Sequence, residues 1–125
     1  MKTRILVIED NEKNLKLVRD ILEYSGYEVV AAKTGEDGID AAARCAPDLV
    51  LMDLQLPGID GVEALRQLRE MGSIDVPVVA VTAFAMREDR QRVLDAGFDG
   101  YLEKPISVRD FPIQVRAFIN REVSM

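Results

Sequence analysis

At 125 residues, 48% of them hydrophobic and 30% charged, the chain suits one soluble globular domain built around a single core. Its formal charge of −6 and pI near 4.7 disfavour nonspecific nucleic-acid binding, which depends on clusters of lysine and arginine. One cysteine and no histidine exclude an internal disulfide and the usual His/Cys zinc sites, so any metal is expected to be hard and oxygen-ligated, magnesium before zinc.

Residues 4–8 read as a first strand, buried and apolar, followed at once by Glu9 and Asp10. Asn11 is placed to cap a helix whose apolar positions are Leu15, Val18, Ile21 and Leu22, and Gly26 can close it. Residues 28–32 give a shorter, less apolar strand, a candidate for the sheet edge. The T-x-x-D pattern at Thr34–Asp37 opens a second helix running to about Ala46, with Ile39, Ala42 and Ala43 expected on its sheet-facing side. Cys45 falls in this alanine-rich segment and reads as a small packing residue rather than a nucleophile.

Pro47 ends that helix. Leu49-Val50-Leu51-Met52, flanked by Asp48 and Asp53, is an unbroken apolar run that fits a central strand covered on both faces. Residues 56–61 are rich in turn formers. A third helix over 61–71 is expected to bury Val62, Leu65 and Leu68, with Gly72 as its cap, and Pro77 introduces a fourth buried strand, 78–82, ending on Thr82. The fourth helix, about 86–96, has the weakest apolar pattern, left to Met86, Val93, Leu94 and Ala96, with Gly97 as cap. Arg87, Arg90 and Arg92, interrupted by Glu88 and Asp89, read as its wet side rather than a DNA surface, with a docking rim as the alternative. A fifth strand spans 100–103, with Glu103 expected to face water, and Lys104-Pro105 follows. The S-x-x-D pattern at Ser107–Asp110 opens a last helix carrying Val108, Phe111, Val115 and Phe118, with Pro112 near its start. No early apolar h-region and no run of 18 apolar residues appear, so no signal peptide or membrane span is expected and the cytosol is the default.

Five successive strand–helix pairs predict an α/β domain with a parallel sheet covered on both faces. Parallel strands bring their carboxyl ends to one edge, where open α/β sheets place their chemistry. Glu9, Asp10, Asp53, Thr82 and Lys104 are the polar residues expected there. Taken singly each has an ordinary explanation: an aspartate after a strand is mostly a turn former or cap, and a lone lysine mostly faces solvent. Together they concentrate three carboxylates in a small volume, which a divalent cation would relieve. Asp10 and Asp53 are expected as direct ligands, Glu9 partly through water, and the backbone carbonyl of Gln55 as a further donor. Magnesium held by few carboxylates shares its shell with phosphate, which points to phosphoryl transfer onto Asp53. Lys104 would neutralise charge on the transferred group, and Thr82 would hydrogen-bond to it afterwards. Movement of Thr82 would open room for Tyr101, repacking the face made by helix four, strand five and helix five. The competing account of Tyr101 is an edge-strand aromatic with its hydroxyl in water.

The combination of Glu9-Asp10, Asp53 with Leu56-Pro57-Gly58, Thr82-Ala83 and Lys104-Pro105 resembles the receiver domain of bacterial two-component response regulators. The resemblance covers essentially the whole chain, so residues 1–125 are expected to be one receiver domain. It implies a flavodoxin-like (βα)5 three-layer fold with strand order 2-1-3-4-5, Asp53 as phosphoacceptor, and a cis peptide between Lys104 and Pro105. It implies Mg2+ as cofactor, with Mn2+ as a substitute. The implied donor is a phosphohistidine on a sensor histidine kinase or histidine phosphotransfer protein. Such a chain catalyses its own phosphorylation and dephosphorylation rather than turnover of small substrates.

Residues 78–86 and Lys104-Pro105-Ile106-Ser107 are similar to single-domain regulators of the DivK type and to receivers attached to hybrid kinases. That likeness implies a downstream kinase or adaptor protein in cell-cycle or developmental signalling, no direct nucleic-acid or membrane contact, and a monomer or weak dimer. Gln55 and Phe84 occupy the positions that modulate water access to the acyl phosphate, and Tyr101 matches the aromatic switch position.

Three other readings compete with a phosphoaccepting switch. A magnesium-dependent phosphatase with an aspartate nucleophile usually carries a second acid two residues on, where this chain has Gln55. A flavin-binding carrier needs a Ser/Thr/Gly-rich first loop, whereas this one is Glu9-Asp10-Asn11-Glu12. A phosphorylation-independent protein-binding scaffold has no use for the full set of acids, threonine and lysine.

Overall fold

The computed structural model describes residues 2–71, 75–83 and 87–120 (for 87–89, the backbone). Strands and helices alternate: β1 Arg4–Ile8, α1 Glu12–Tyr24, β2 Glu28–Ala32, α2 Gly35–Cys45, β3 Leu49–Asp53, α3 Gly61–Glu70, β4 Val78–Thr82, α4 Arg87–Asp95, β5 Gly100–Glu103 and α5 Phe111–Ile119. The five strands form one parallel sheet in the order β2-β1-β3-β4-β5, the flavodoxin-like arrangement.

Strand alternation divides the core into two layers. Leu6, Ile8, Val50, Met52, Val78 and Ala80 face one side, with Ala42 of α2, Leu65 and Leu68 of α3 and Val93 of α4. Ile5, Val7, Leu49, Leu51, Val79 and Val81 face the other, with Leu15, Val18 and Leu22 of α1 and Phe111 and Val115 of α5. β3 and β4 are buried at every position, and β2 is half-buried at one edge, as its composition predicts.

The first three helices that leave the site edge begin on side-chain caps. The Asn14 amide donates to Asn11 Oδ1 at 3.1 Å, that of Asp37 to Thr34 Oγ1 at 3.0 Å, and that of Glu63 to Asp60 Oδ1 at 2.9 Å. Gly26 and Gly97, with φ of 94° and 107°, occupy the left-handed positions after α1 and α4, where a Cβ would be strained.

Several faces differ from expectation. Ala43 is exposed, and α2 buries Gly35, Gly38, Ala41 and Ala42, with Ile39 half-buried. The helix lies so close to β1 that a Cβ on Gly38 would meet Ile8 Cδ1 at 2.4 Å. Small residues define such a contact and carry little hydrophobic signal in a sequence. Val62 is 50% exposed, and α3 buries Gly61 and Ala64 beside the expected Leu65 and Leu68. Leu94 and Ala96 are exposed, and Phe98, beyond the helix, fills the layer instead. Val108 is 64% exposed because α5 starts at Phe111. Ser107 Oγ does accept the Asp110 amide at 3.1 Å, but it caps a separate turn ahead of the helix. Pro77 precedes β4 by one residue and offers its carbonyl to the Val50 amide at 3.0 Å. The expected Gly72 cap and the Met86 contact lie outside the described residues.

Candidate functional site

Parallel pairing carries the carboxyl ends of β1, β3, β4 and β5 to one edge. Glu9 and Asp10 follow β1 directly, Asp53 and Thr82 are the last residues of β3 and β4, and Lys104 is the first after β5. Glu9, Asp53 and Thr82 are nearly inaccessible, at 4%, 5% and 2% exposure, while Asp10 is open to solvent. Lys104 Nζ lies between the two buried acids, 2.8 Å from Glu9 Oε1 and 2.9 Å from Asp53 Oδ2.

Backbone amides hold these groups in place. The Gln55 N–H donates to Asp53 Oδ1 at 2.9 Å, and the Asn11 N–H donates to Glu9 Oε2 at 3.2 Å. The Lys104 N–H donates to the Thr82 carbonyl at 2.9 Å, tying the lysine to the end of β4. The Lys104–Pro105 peptide is cis, as the family resemblance implies.

Two carboxylates share one ammonium, so the centre carries excess negative charge. Burial, followed by the neighbouring Asp53, raises the Glu9 carboxyl to about 7, against the lowering influence of Lys104 and the Asn11 amide. Burial also works against the charge on Lys104, but its bonds to Glu9 and Asp53 prevail and hold its pKa above the ordinary value. The net charge of the cluster supplies a reason for a cation. One carboxylate oxygen from each of Glu9, Asp10 and Asp53 lies within 4.8 Å of the others, a hard-donor set that a single divalent ion can bridge. The residues present therefore fit a divalent metal.

The structure thus brings Glu9, Asp10, Asp53, Thr82 and Lys104 together, with Gln55 alongside through its amide. Phe84 lies outside the described residues. Tyr101 is half-buried on the edge strand, on the face that packs against α2, α3 and α4. The ring is covered by a residue that sequence reasoning assigned to a wet helix face or a docking rim. Arg90 Cζ sits 5.2 Å from the ring centroid, and Arg90 Nη2 is 2.7 Å from Glu103 Oε1. Glu103 is exposed, as expected, but paired. Opposite charges on α4 and β5 are the only signal for this contact in the sequence, and they point nowhere until the register is known.

Residues 5–116 match the family model for the response regulator receiver domain. The chain belongs to that family. As a receiver it is a phosphoaccepting signalling switch that catalyses its own phosphorylation and dephosphorylation, and its acidic cluster is the candidate metal site. It is 41% identical over 120 residues to the polar-differentiation response regulator DivK of Brucella anthropi, covering 95% of this chain and 98% of that one. Among solved structures it resembles the receiver domain of a Pseudomonas aeruginosa sensor histidine kinase, which has a magnesium ion coordinated in the active-site cleft. Identity to that receiver is 33%, with a TM-score of 0.86 over 96% of this chain and 99% of that one. A CheY-like receiver from Methanospirillum hungatei is 30% identical, with a TM-score of 0.87 over 97% of this chain and 96% of that one. No described helix of this receiver is long and apolar enough to cross a membrane.

Proposed function

We propose that residues 1–125 act as one receiver unit and that Asp53 is its phosphoacceptor. The observation that carries this reading is the grip on the Asp53 carboxylate, with Lys104 on Oδ2 and the Gln55 amide on Oδ1, each at 2.9 Å. A buried carboxylate held this way presents oxygen lone pairs in a fixed direction at the open end of the central strand. An Asp53 oxygen attacks phosphorus, a P–O bond forms, and the P–N bond of a phosphohistidine breaks with its electron pair leaving on the imidazole. Lys104 holds its ammonium beside the acceptor throughout, where negative charge accumulates on the phosphoryl oxygens. Thr82, at the end of the adjacent strand, donates its hydroxyl to the transferred group.

Glu9, Asp10, Asp53 and the Gln55 carbonyl would hold Mg2+, or Mn2+ in its place, and the bound cation would neutralise phosphoryl charge. The magnesium in the similar Pseudomonas receiver supports this choice of metal. Gln55 and Phe84 flank the approach of water and set the lifetime of the acyl phosphate. Thr82 and Tyr101 carry the change of state to the surface formed by α4, β5 and α5. The donor is a sensor histidine kinase or histidine phosphotransfer protein, and the similarity to DivK supports a downstream kinase or adaptor in cell-cycle signalling.

The test is incubation with Mg2+ and acetyl phosphate, followed by intact-mass measurement. One labile phosphoryl adduct is expected, lost in Asp53→Asn and absent with EDTA. An undiminished adduct in Asp53→Asn would overturn the assignment.

A further inference from the structure

We propose that Arg90 is a latch on Tyr101, holding the α4–β5 face in its resting arrangement against the one that phosphorylation favours. The inference rests on the reading of Tyr101 as the switch residue, and it adds a residue that opposes the switch.

The seating of α4 makes such a latch effective. Of its side chains from 90 to 95, only Val93 is buried, and the Gln91–Asp95 hydrogen bond stays within the helix. The contacts of Arg90 therefore supply much of what fastens the described part of α4 to β5. Its guanidinium spans two side chains at once, with Nη2 on Glu103 at 2.7 Å and Cζ over the Tyr101 ring at 5.2 Å.

Strand register explains why this matters. Leu102 packs into the α1/α5 layer, so Tyr101 and Glu103 on either side of it project towards α4. Thr82 is the direct register partner of Glu103, and Lys104 follows next along the chain. A shift of Thr82 that draws the tyrosine after it must slide the ring from beneath Arg90, or pull Arg90 away from Glu103. Either movement breaks a contact that exists only in the resting face, so the latch lowers the population of the switched one.

Arg90 and Glu103 are each about half exposed to solvent, and each contact biases an equilibrium by roughly two- to five-fold. Higher ionic strength screens the ion pair and loosens the latch in the same direction as removing the arginine.

The experiment uses the full chain carrying 3-fluorotyrosine, with the signals of Tyr24, Tyr27 and Tyr101 assigned by single Tyr→Phe substitutions. In Arg90→Gln without phosphate, the Tyr101 fluorine signal should move towards its position in acetyl-phosphate-treated wild type, while Tyr24 and Tyr27 stay in place. Adduct formation at sub-saturating acetyl phosphate should rise about three-fold. Arg90→Lys, which keeps the charge, should fall between the two proteins. A Tyr101 signal indifferent to Arg90→Gln, or an adduct yield that does not rise, overturns the latch. A wild-type chain that forms no adduct overturns the proposed function instead.

Discussion

Glu9 and Lys104 are held by the same buried charge cluster, and both titrations follow from it. The folded Glu9 carboxyl sits near 7, above its ordinary 4.5, so the folded chain holds more protons than the unfolded one between those values. Stability from this group is therefore greatest below the unfolded pKa and falls as pH rises towards 7. Metal-free wild type in EDTA should lose thermal stability over that interval relative to Glu9→Gln, which cannot titrate. Parallel melting curves for the two proteins would contradict the origin assigned to the shift. Lys104 follows the same rule, higher on the scale. Its folded pKa lies above 10.5, so its contribution persists at neutral pH and disappears only as pH climbs through the folded value. The acid–lysine set was readable from residue types at strand ends. The Arg90–Glu103 pair was not, because its partners lie 13 residues apart on elements whose register the sequence does not state.

At the scale of elements, caps and breakers were readable while buried faces were less so. Asn11 and Thr34 cap the helices they precede, because a short oxygen-bearing side chain meets free amides whatever the tertiary context. Thr34→Ala should cost about 1 kcal/mol in urea denaturation with little change in phosphorylation. The face of α2 depends instead on how near the helix comes to the sheet. Gly38→Ala should destabilise by about 1–3 kcal/mol, despite alanine's better helix propensity, since the added methyl enters the space of Ile8. A Gly38→Ala protein as stable as wild type would mean that Ile8 yields freely. Val62 and Val108 were misassigned to the core for a related reason. Spacing identifies a stripe, but the neighbouring elements decide which edge of it is covered.

The whole molecule is arranged so that unlike pieces of chain present their polar ends at one edge of a two-layered core. The cluster at that edge keeps an excess of negative charge, and a divalent cation that binds the folded chain alone should raise its melting temperature. Calorimetry with increasing MgCl2 at constant ionic strength should show a saturable rise in wild type. In Asp10→Asn combined with Asp53→Asn the rise should be largely lost. An equal rise in both proteins would place the ion elsewhere.

The order of elements, the caps of the first two helices, the central strands and the candidate site residues were legible in the sequence itself. Apolar runs, cap residues and prolines act locally, and parallel crossovers of fixed hand carry the strand ends to one edge. Only the tertiary structure decided that α2 is seated through glycine and alanine, that Lys104 bridges Glu9 and Asp53, and that Arg90 covers Tyr101. Those features depend on distances between elements. Such distances emerge from packing the whole core at once, and no local pattern along the chain encodes them.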